Sequence, residues 1–352
     1  MENYTIDVIA GDGIGQEVVP AALECLTAVA RRDGFRFEWR HHDWGADRYR
    51  VDGAMMPANG LDQLRDGDGI FLGAVGHPDI PDHVSLWGLL IPIRKAFHQY
   101  VNLRPVRLLP GVTSPLRESG GLDIVVVREN VEGEYSEMGG RAYTGDAEEL
   151  VTQQALFTRS GVSRVARFAA ELASTRSGSL ISATKSNGII HSMPFWDEVV
   201  AEVVADFPEV RLESVLIDAL AARAVLRPFS LDVIVASNLF GDILSDLVAA
   251  TAGSIGVAPS ANLNPERLNP SMFEPVHGSA PDIAGRGVAN PVGQIWAGVL
   301  MLEHLGQAGS ARTLMSALED VLADGIRTID LGGTARTAEV AAAVVERLRI
   351  AG

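Results

Sequence analysis

Residues 231–246 read Leu-Asp-Val-Ile-Val-Ala-Ser-Asn-Leu-Phe-Gly-Asp-Ile-Leu-Ser-Asp and carry the strongest local signal in the chain. The apolar run 231–236 predicts a buried strand. On a helix that follows this strand, the four-residue spacing of Asp242 and Asp246 stacks both carboxylates on one face. Uncompensated like charges repel in that arrangement, and a divalent cation would turn the repulsion into binding.

A third acid, Asp218, follows the apolar residues 215–217 and would be able to complete such a site. The 237–246 segment contains no Cys or His, so hard oxygen ligands favour Mg²⁺ or Mn²⁺ over Zn²⁺. The alternative is that the acids lie at the start of a helix and only complement its dipole. The spacing alone leaves both interpretations open.

Outward from this segment, apolar runs of strand length alternate with stretches of helical spacing, which predicts an α/β protein. Further strands are predicted at 5–10, 69–75, 124–127 and 179–183, and helices at 17–31, 162–172 and 340–348. Glycine and proline concentrate between residues 253 and 298. Loops of this kind often carry function.

The bulk composition is that of a globular protein, with 352 residues, 47% hydrophobic and 21% charged. Its formal net charge of −16 argues against nucleic-acid and membrane-surface partners, because both present phosphates. Cys25 is the single cysteine, which excludes an intrachain disulfide, and its apolar surroundings predict a buried thiol. No apolar run approaches the roughly 20 residues that span a bilayer, and the first residues lack a secretion-signal pattern, so we expect a cytoplasmic protein.

The strand 5–10 runs into Gly11-Asp12-Gly13-Ile14-Gly15, which invites a dinucleotide-binding interpretation. A Rossmann fingerprint needs a glycine three residues after its second one, and Gln16 occupies that place. The ordinary phosphate turn is therefore not supported. A tight strand-to-helix turn and a ligand loop both remain open.

Three arginines lie beside apolar segments, namely Arg94, Arg104 and Arg128. Arg128 directly follows the predicted strand 124–127, at the strand end where open α/β sheets place ligands. Guanidinium groups bind carboxylates in two-point fashion, which suits a di- or tricarboxylate substrate. The alternative is a set of surface arginines paired with local acids.

Two further side chains are candidates for moving protons. Lys185 follows a predicted strand and would serve as a base if a metal or arginines lower its pKa, and Tyr135 would serve as an acid. Each alone is more often structural or solvated. The segment 273–285 is predicted to be a long loop able to wrap a nucleotide, with Asp282 accepting hydrogen bonds from ribose hydroxyls and repelling the extra phosphate of NADP.

Together these segments resemble the β-decarboxylating dehydrogenases, the family of isocitrate, isopropylmalate, tartrate and D-malate dehydrogenases. Six blocks appear in the family's order over nearly the whole chain. They are residues 11–15, 102–105, 127–130, Lys185, 238–246 and 274–290. The resemblance implies metal-dependent, NAD-linked oxidation of a 2-hydroxy diacid followed by its decarboxylation.

The resemblance also implies a fold distinct from Rossmann, the isocitrate/isopropylmalate dehydrogenase-like fold, with two domains and a cleft between them. A discontinuous large cofactor-binding domain would comprise residues 1–99 and 254–352. A small domain of residues 100–253 would carry the metal-site residues and the interface of a homodimer with shared active sites.

By the same matching, each candidate residue receives a role. Arg94, Arg104 and Arg128 would hold the substrate carboxylates, with Leu90 in the substrate pocket. Asp242 and Asp246 would bind the metal together with Asp218 of the partner subunit, and Lys185, also from the partner, would be the base. Tyr135 would protonate carbon 3. The cofactor site would be lined by Ile14, Glu274, His277, Gly278, Ala280, Asp282 and Asn290. NADP-dependent relatives commonly carry Lys-Tyr at positions 282–283, so Asp282 and Ile283 favour NAD.

The segment 85–94 looks like the tartrate and D-malate branch of the family. Isopropylmalate enzymes reach the arginine one residue sooner, whereas this chain has Pro92 inserted and nothing polar between Trp87 and Arg94. An apolar wall gives a third carboxylate no partner, and burying it unpaired would be costly. A four-carbon diacid such as D-malate or tartrate is therefore predicted.

Two alternatives accompany this prediction. A 3-isopropylmalate dehydrogenase would place a branched alkyl group against residues 89–91. A non-catalytic regulatory subunit of the same fold would be expected to have lost some of the candidate site residues, yet all are present here. One departure concerns residues 219–224, where Arg223 stands in a segment that usually contains an Ala-His-Phe pattern.

Overall fold

A computed structural model describes residues 2–117 and 121–350, which fall into two compact units. The first unit comprises Met1–Gln99, Pro105–Gly120 and Ala249–Gly352, and the second comprises Tyr100–Arg104 and Gly121–Val248. Both units combine strands and helices, which confirms the predicted α/β class. The assignment of a cofactor-binding domain to 1–99 and 254–352, and of metal-site and interface roles to 100–253, stays a prediction.

The first unit is built on five neighbouring strands in the order β2-β1-β3-β12-β11. They are β1 (Asn3–Gly11), β2 (Arg36–His41), β3 (Gly69–Ala74), β11 (Pro259–Leu263) and β12 (Ser271–Pro275). The pairs are parallel except that β11 runs antiparallel to β12. Strand β3 is buried at every residue. Its uninterrupted apolar sequence is typical of a strand that is covered on both faces.

The helices of the first unit pack around these strands. They are α1 (Gly15–Asp33), α2 (Ala46–Asp52), α3 (Gly60–Leu64), α4 (Asp82–Ser85), α5 (Ile91–Ala96), α10 (Val292–His304), α11 (Ala308–Ala323) and α12 (Thr337–Ile350). A π-helical turn, Leu86–Leu90, joins α4 directly to α5. Cys25 lies on the buried face of α1 as a free thiol, and burial raises its pKa.

The second unit is built on parallel strands in the order β5-β10-β8-β9. They are β5 (Asp123–Glu129), β8 (Ser179–Thr184), β9 (Arg211–Leu216) and β10 (Val233–Ala236), and β4 (Val101–Arg107) runs along the chain from this unit into the first. An exposed antiparallel pair is formed by β6 (Gly139–Ala142) and β7 (Leu150–Gln153). The helices are α6 (Arg159–Ser174), α7 (Ser192–Val204), α8 (Ile217–Leu226) and α9 (Asn238–Thr251).

Two predicted boundaries are wrong in ways that concern the candidate site. Strand β5 continues to Glu129, so Arg128 lies within the strand and not just after it. Arg128 is paired with Ala236 of β10. The predicted loop 273–285 begins later, because residues 273–275 form the end of β12. Both strands extend through polar residues because those side chains find buried partners, which apolar periodicity does not reveal.

No helix among residues 2–117 and 121–350 is long and apolar enough to cross a membrane.

Candidate functional site

The carboxylate of Asp242 is the meeting point of several predicted site residues in the second unit. Arg128 donates from Nη1 to Oδ1 of Asp242, and Nη2 of Arg104 lies 3.3 Å from the same oxygen. The hydroxyl of Tyr135 donates to Oδ2 at 2.8 Å. The structure therefore brings together two of the three predicted substrate arginines, the predicted acid and a predicted metal ligand.

Asp246 lies one helical turn after Asp242 and joins the same cluster. Nη1 of Arg104 is 3.1 Å from its Oδ1 and also donates to the hydroxyl of Ser245 at 2.7 Å. Helix α9 has no acid in its first turn, so complementing the helix dipole does not explain this pair of aspartates. Their carboxylates instead face guanidinium groups across the unit.

The charges of this cluster balance in a simple way. Two carboxylates, of Asp242 and Asp246, face two guanidinium groups, of Arg104 and Arg128, and both arginines are almost fully buried. Adding a divalent cation and a dicarboxylate dianion keeps that balance. Binding of either one alone would leave an excess of two charges in a partly desolvated place, which is unfavourable.

Burial dominates the protonation equilibria at two of these groups. Desolvation, reinforced by the negative charge of Asp242, raises the pKa of the Tyr135 phenol, so it holds its proton. Desolvation also raises the pKa of Asp246, although the nearby guanidinium of Arg104 opposes the change. The hydroxyl of Tyr135 is thus a protonated donor beside a partly desolvated carboxylate.

Side chains that the sequence did not single out hold the arginines in position. Oδ1 of Asn238 accepts from Nε and Nη2 of Arg128 at 3.1 and 2.6 Å. Oδ1 of Asn102 accepts from Nε of Arg104 at 2.7 Å. Asn238 and Asn102 lie inside the sequence blocks that carry the family resemblance, and only their spatial partners reveal their role.

Glu134 connects the segment that carries Tyr135 to the start of helix α9. Its carboxylate accepts from the hydroxyl of Ser237 at 2.8 Å and from the backbone N–H of Leu239 at 2.9 Å. These bonds satisfy groups at the N-terminus of α9 that the helix itself leaves unpaired. Glu134 is not among the residues predicted from the sequence, although its position beside Tyr135 is a signal.

Lys185 and Asp218 form a separate ion pair in the second unit. Lys185 directly follows strand β8, and Asp218 lies in the first turn of helix α8. The nearby ammonium of Lys185 lowers the pKa of Asp218. Within the described part of a single chain, no three His, Cys, Asp or Glu side chains are grouped closely enough to hold a metal ion. Asp218 of the same chain therefore does not complete a three-acid site with Asp242 and Asp246.

Arg94, the third predicted substrate arginine, lies in the first unit on helix α5. Its Nη2 donates to Oε1 of Glu274 at 2.8 Å, and Asn262 donates to the same oxygen at 2.7 Å. Arg94 and Glu274 were predicted to serve substrate and cofactor separately, yet they form one buried ion pair. Leu90 is half-buried one helical turn before Arg94 and packs against an apolar cluster that includes Leu89 and Ile93.

The predicted cofactor residues Ile14 and Ala280 lie together where the turn after β1 meets the segment that follows β12. The N–H of Ile14 donates to the carbonyl of Ser279 at 2.9 Å, and Ile14 packs against Ala280 and Ile283. Gly13 has φ +53°, and a Cβ there would come within 2.1 Å of the Ser279 carbonyl oxygen. The turn therefore requires glycine for close packing against this segment.

The remaining predicted cofactor residues offer polar groups along this segment. Nδ1 of His277 is 3.0 Å from the carbonyl of Gly278, while its buried Nε2 has no hydrogen-bond partner among the described residues. Asn290 donates to Asp330 at 2.8 Å and accepts from the N–H of Val292. Asp282 is exposed on the same segment. An orphaned buried ring nitrogen is a feature that a polar ligand would satisfy.

Comparison with known proteins gives a consistent result along the chain. Residues 5–344 match the family described as isocitrate/isopropylmalate dehydrogenase. The chain is 54% identical over 352 residues to a probable tartrate dehydrogenase/decarboxylase of Agrobacterium vitis, covering 99% of this chain and 98% of that protein. It is 51% identical to the D-malate dehydrogenase (decarboxylating) of Escherichia coli strain K12, covering 98% of each. The crystal structure of isocitrate dehydrogenase from Methylococcus capsulatus is similar, with a TM-score of 0.90, 32% identity and coverage of 98% of this chain and 99% of that one.

Proposed function

Because the chain belongs to the isocitrate/isopropylmalate dehydrogenase family, a family of metal-dependent oxidative decarboxylases, we propose that it oxidises and decarboxylates a small 2-hydroxy dicarboxylic acid. D-malate and tartrate are the proposed substrates, NAD the hydride acceptor, and Mg²⁺ or Mn²⁺ the metal. The observation that carries the proposal is the convergence of Arg104, Arg128 and Tyr135 on the Asp242 carboxylate.

The metal assignment is supported by the chemistry of the available ligands. Asp242 and Asp246 present carboxylate oxygens, which are hard ligands that Mg²⁺ and Mn²⁺ prefer. We propose that Asp218 of the partner subunit supplies the third carboxylate. With the aspartates bound to the metal, buried Arg104 and Arg128 would bind the substrate's carboxylates through their N–H groups.

The bound cation would polarise the substrate's hydroxyl and later its keto oxygen, and the nicotinamide ring would accept the hydride from carbon 2. Lys185 of the partner subunit takes the proton of the 2-hydroxyl. Arg94 holds a substrate carboxylate. After loss of carbon dioxide, the Tyr135 hydroxyl delivers a proton to carbon 3.

The preference for NAD rests on Asp282. We propose that the exposed carboxylate of Asp282 accepts hydrogen bonds from the adenosine ribose hydroxyls and repels a phosphate at that place. Glu274, Gly278 and Asn290 would line the same cofactor site. The unpaired Nε2 of His277 supports a polar ligand next to this segment.

The homodimer is supported by apolar side chains that the second unit leaves in solvent. Leu226 on α8 is 77% exposed, Ile243 on α9 is 61% exposed and Ile190 is 68% exposed. We propose that these three side chains belong to one interaction surface, because contiguous exposed apolar residues mark such surfaces. A second copy of the chain would cover them and bring its own Lys185 and Asp218.

A panel of 2-hydroxy acids tests the substrate class. We expect metal-dependent reduction of NAD, with release of carbon dioxide, in the presence of D-malate or tartrate. A preparation at least about tenfold more efficient in kcat/KM with 3-isopropylmalate would replace the proposed substrate by that one. Turnover of none of these acids would favour a non-catalytic member of the family.

The variant Asp242→Asn tests the site. The substitution keeps the shape of the side chain but removes one negative charge, so we expect Mn²⁺ binding, measured by calorimetry, to weaken and turnover to fall by about a hundredfold or more. The midpoint of thermal unfolding should fall, because one carboxylate charge is lost opposite two buried guanidinium groups, so both readouts are taken well below that midpoint. The control is Asp324→Asn, an exposed aspartate paired with Arg347, which should leave both readouts unchanged.

A further inference from the structure

Two hydrogen bonds join the start of helix α1 to the segment that follows strand β12. The N–H of Ile14 donates to the carbonyl of Ser279 at 2.9 Å. The N–H of Gly285 donates to Oε1 of Glu17 at 2.5 Å. These bonds hold the stretch between Ser279 and Gly285 at both of its ends. The proposed function gives Glu17 no role.

The stretch between these two bonds forms a tight turn that begins in a strained conformation. Ala280 has φ +40°, in the left-handed region that residues with a Cβ rarely occupy. Its carbonyl accepts from the N–H groups of Ile283 at 3.1 Å and Ala284 at 3.2 Å. The turn ends at Gly285, whose φ of +77° suits a glycine. Exposed Asp282 lies in the middle of the turn, so its direction depends on both ends being held.

Glu17 departs from the usual role of an acid in the first turn of a helix. In a capping box, such a side chain reaches back to the backbone N–H at the start of its own helix. That N–H, on Ile14, already has a partner, and the Glu17 carboxylate instead binds a residue 268 positions later. Its second oxygen, Oε2, is buried without a hydrogen-bond partner among the described residues. An unsatisfied buried acceptor is unfavourable, so the stability of helix α1 does not explain why a carboxylate lies here.

The bond to Gly285 supplies a restraint that the strained start of the turn needs. A backbone conformation as unusual as that of Ala280 persists only where the surrounding structure fixes it. Here the chain is held at Ser279, just before Ala280, and again at Gly285. Loss of the bond at Gly285 would let Ala280 return to a common conformation. The residues after it, including Asp282, would then change direction.

We propose that Glu17 is a positioning residue for coenzyme selection: its bond to the N–H of Gly285 holds the turn that presents Asp282 and so maintains the preference for NAD over NADP. The inference rests on the proposed function, in which Asp282 accepts hydrogen bonds from the adenosine ribose hydroxyls. A turn that is already fixed in its binding conformation loses less entropy when NAD binds, which raises the affinity. NADP gains nothing from the same restraint, because Asp282 repels its extra phosphate.

The test uses three substitutions of Glu17 and one control in the same helix. Glu17→Ala removes the acceptor. Glu17→Asp keeps the charge but is one methylene too short to reach Gly285, and it serves as a second variant should the first not fold. Glu17→Gln keeps an acceptor oxygen at the original length. The control is Glu24→Ala, at an exposed position of helix α1.

Two quantities are measured on the whole protein without substrate or metal. The dissociation constants of NADH and NADPH are obtained from the fluorescence of their nicotinamide rings, and the hydrogen exchange of residues 279–287 is obtained by mass spectrometry. We expect Glu17→Ala and Glu17→Asp to raise the Kd of NADH at least about tenfold, to leave that of NADPH within about twofold, and to exchange faster in this segment. Glu17→Gln and Glu24→Ala should stay within about twofold of wild type for both coenzymes.

Four results would overturn the proposal. Faster exchange with an unchanged ratio of the two constants, or with equal weakening of both coenzymes, would show that the turn does not select between them. Unchanged exchange in Glu17→Ala would show that Glu17 does not hold the turn, and loss of NADH binding in Glu17→Gln would show that the charge matters instead of the hydrogen bond. A wild-type protein that binds neither coenzyme, or binds NADPH more tightly than NADH, refutes the proposed use of NAD itself, and the role of Glu17 falls with it.

Discussion

At the scale of single residues, the second unit contains an acid that behaves differently from its neighbours. Glu129 is fully buried, and burial raises its pKa to about 8. Its Oε2 accepts from the N–H groups of Val131 at 3.0 Å and Glu132 at 2.7 Å, while the guanidinium of Arg164 stays 3.9 Å from the carboxylate. An ion pair at that distance does not offset the loss of water, so the carboxyl stays protonated near neutral pH.

The raised pKa of Glu129 has a direct consequence for stability. The folded protein holds this proton more tightly than the unfolded chain, so the stabilisation is complete below the unfolded pKa of about 4.3 and is lost as pH rises towards 8. We predict that Glu129→Gln removes a contribution of up to about 1.4 kcal/mol per pH unit between pH 5 and 8.

Urea unfolding at several pH values measures this contribution as a difference in slope between variant and wild type. Glu148→Gln, at an exposed position, is the control and should leave the slope unchanged. Equal slopes for Glu129→Gln and wild type would mean that Glu129 is ionised in the folded protein.

At the scale of elements, the approach of helix α9 to strand β5 brings Asp242 within reach of Arg128. Gly241 lies at the closest point, where an added Cβ would come within 2.6 Å of Cβ and Cγ of Arg128. The absence of a side chain at Gly241 thus lets the helix lie against the strand that carries the arginine. Glu134 then joins the start of the same helix to the Tyr135 segment.

Gly241→Ala tests this packing. Alanine is favoured over glycine in a helix by about 1 kcal/mol, but overpacking costs about 1–3 kcal/mol and must displace Arg128. We therefore predict a KM for the diacid raised roughly ten- to a hundredfold, with a smaller change in kcat. Gly309→Ala in α11, where an added Cβ meets nothing within 4 Å, is the control and should leave kinetics unchanged and stability equal or higher. An unchanged KM for Gly241→Ala would contradict the packing argument.

At the scale of the whole molecule, the proposed shared active site makes a quantitative prediction about mixed dimers. Lys185→Ala and Asp242→Asn should each be inactive as homodimers. If Lys185 of one subunit serves Asp242 of the other, a mixed dimer contains one site with both native residues and one with neither. Random exchange of equal amounts should then restore about one quarter of the wild-type activity.

If both residues served the same site from one chain, no mixed dimer would contain an intact site and the mixture would stay inactive. Exchange is verified by mass, with subunits of 37.5 kDa. Leu226→Arg should weaken the dimer and abolish activity, because it places a charge on an apolar surface. Val51→Arg, at an 83% exposed position of the first unit, should leave the dimer intact.

The sequence by itself determined the fold class and the places of the strongest candidates. Buried parallel strands are continuous apolar runs, so residues 69–75, 179–183 and 231–236 could be recognised without any partner. Asp242 and Asp246 share a helix. Local spacing alone determines which side chains lie on the same face of a helix. The order of the motifs was sufficient to predict the family, which the comparisons confirm.

Only the tertiary structure decided which groups meet. The pairing of Arg94 with Glu274 joins residues 180 positions apart, and Asn238 and Asn102 hold arginines through contacts that no local pattern contains. The strand ends at Arg128 and Glu274 were misplaced for the same reason: burial of a polar side chain depends on a distant partner. Local spacing determines how a segment folds, whereas the pairing of distant charges and close packing are settled only when the segments come together.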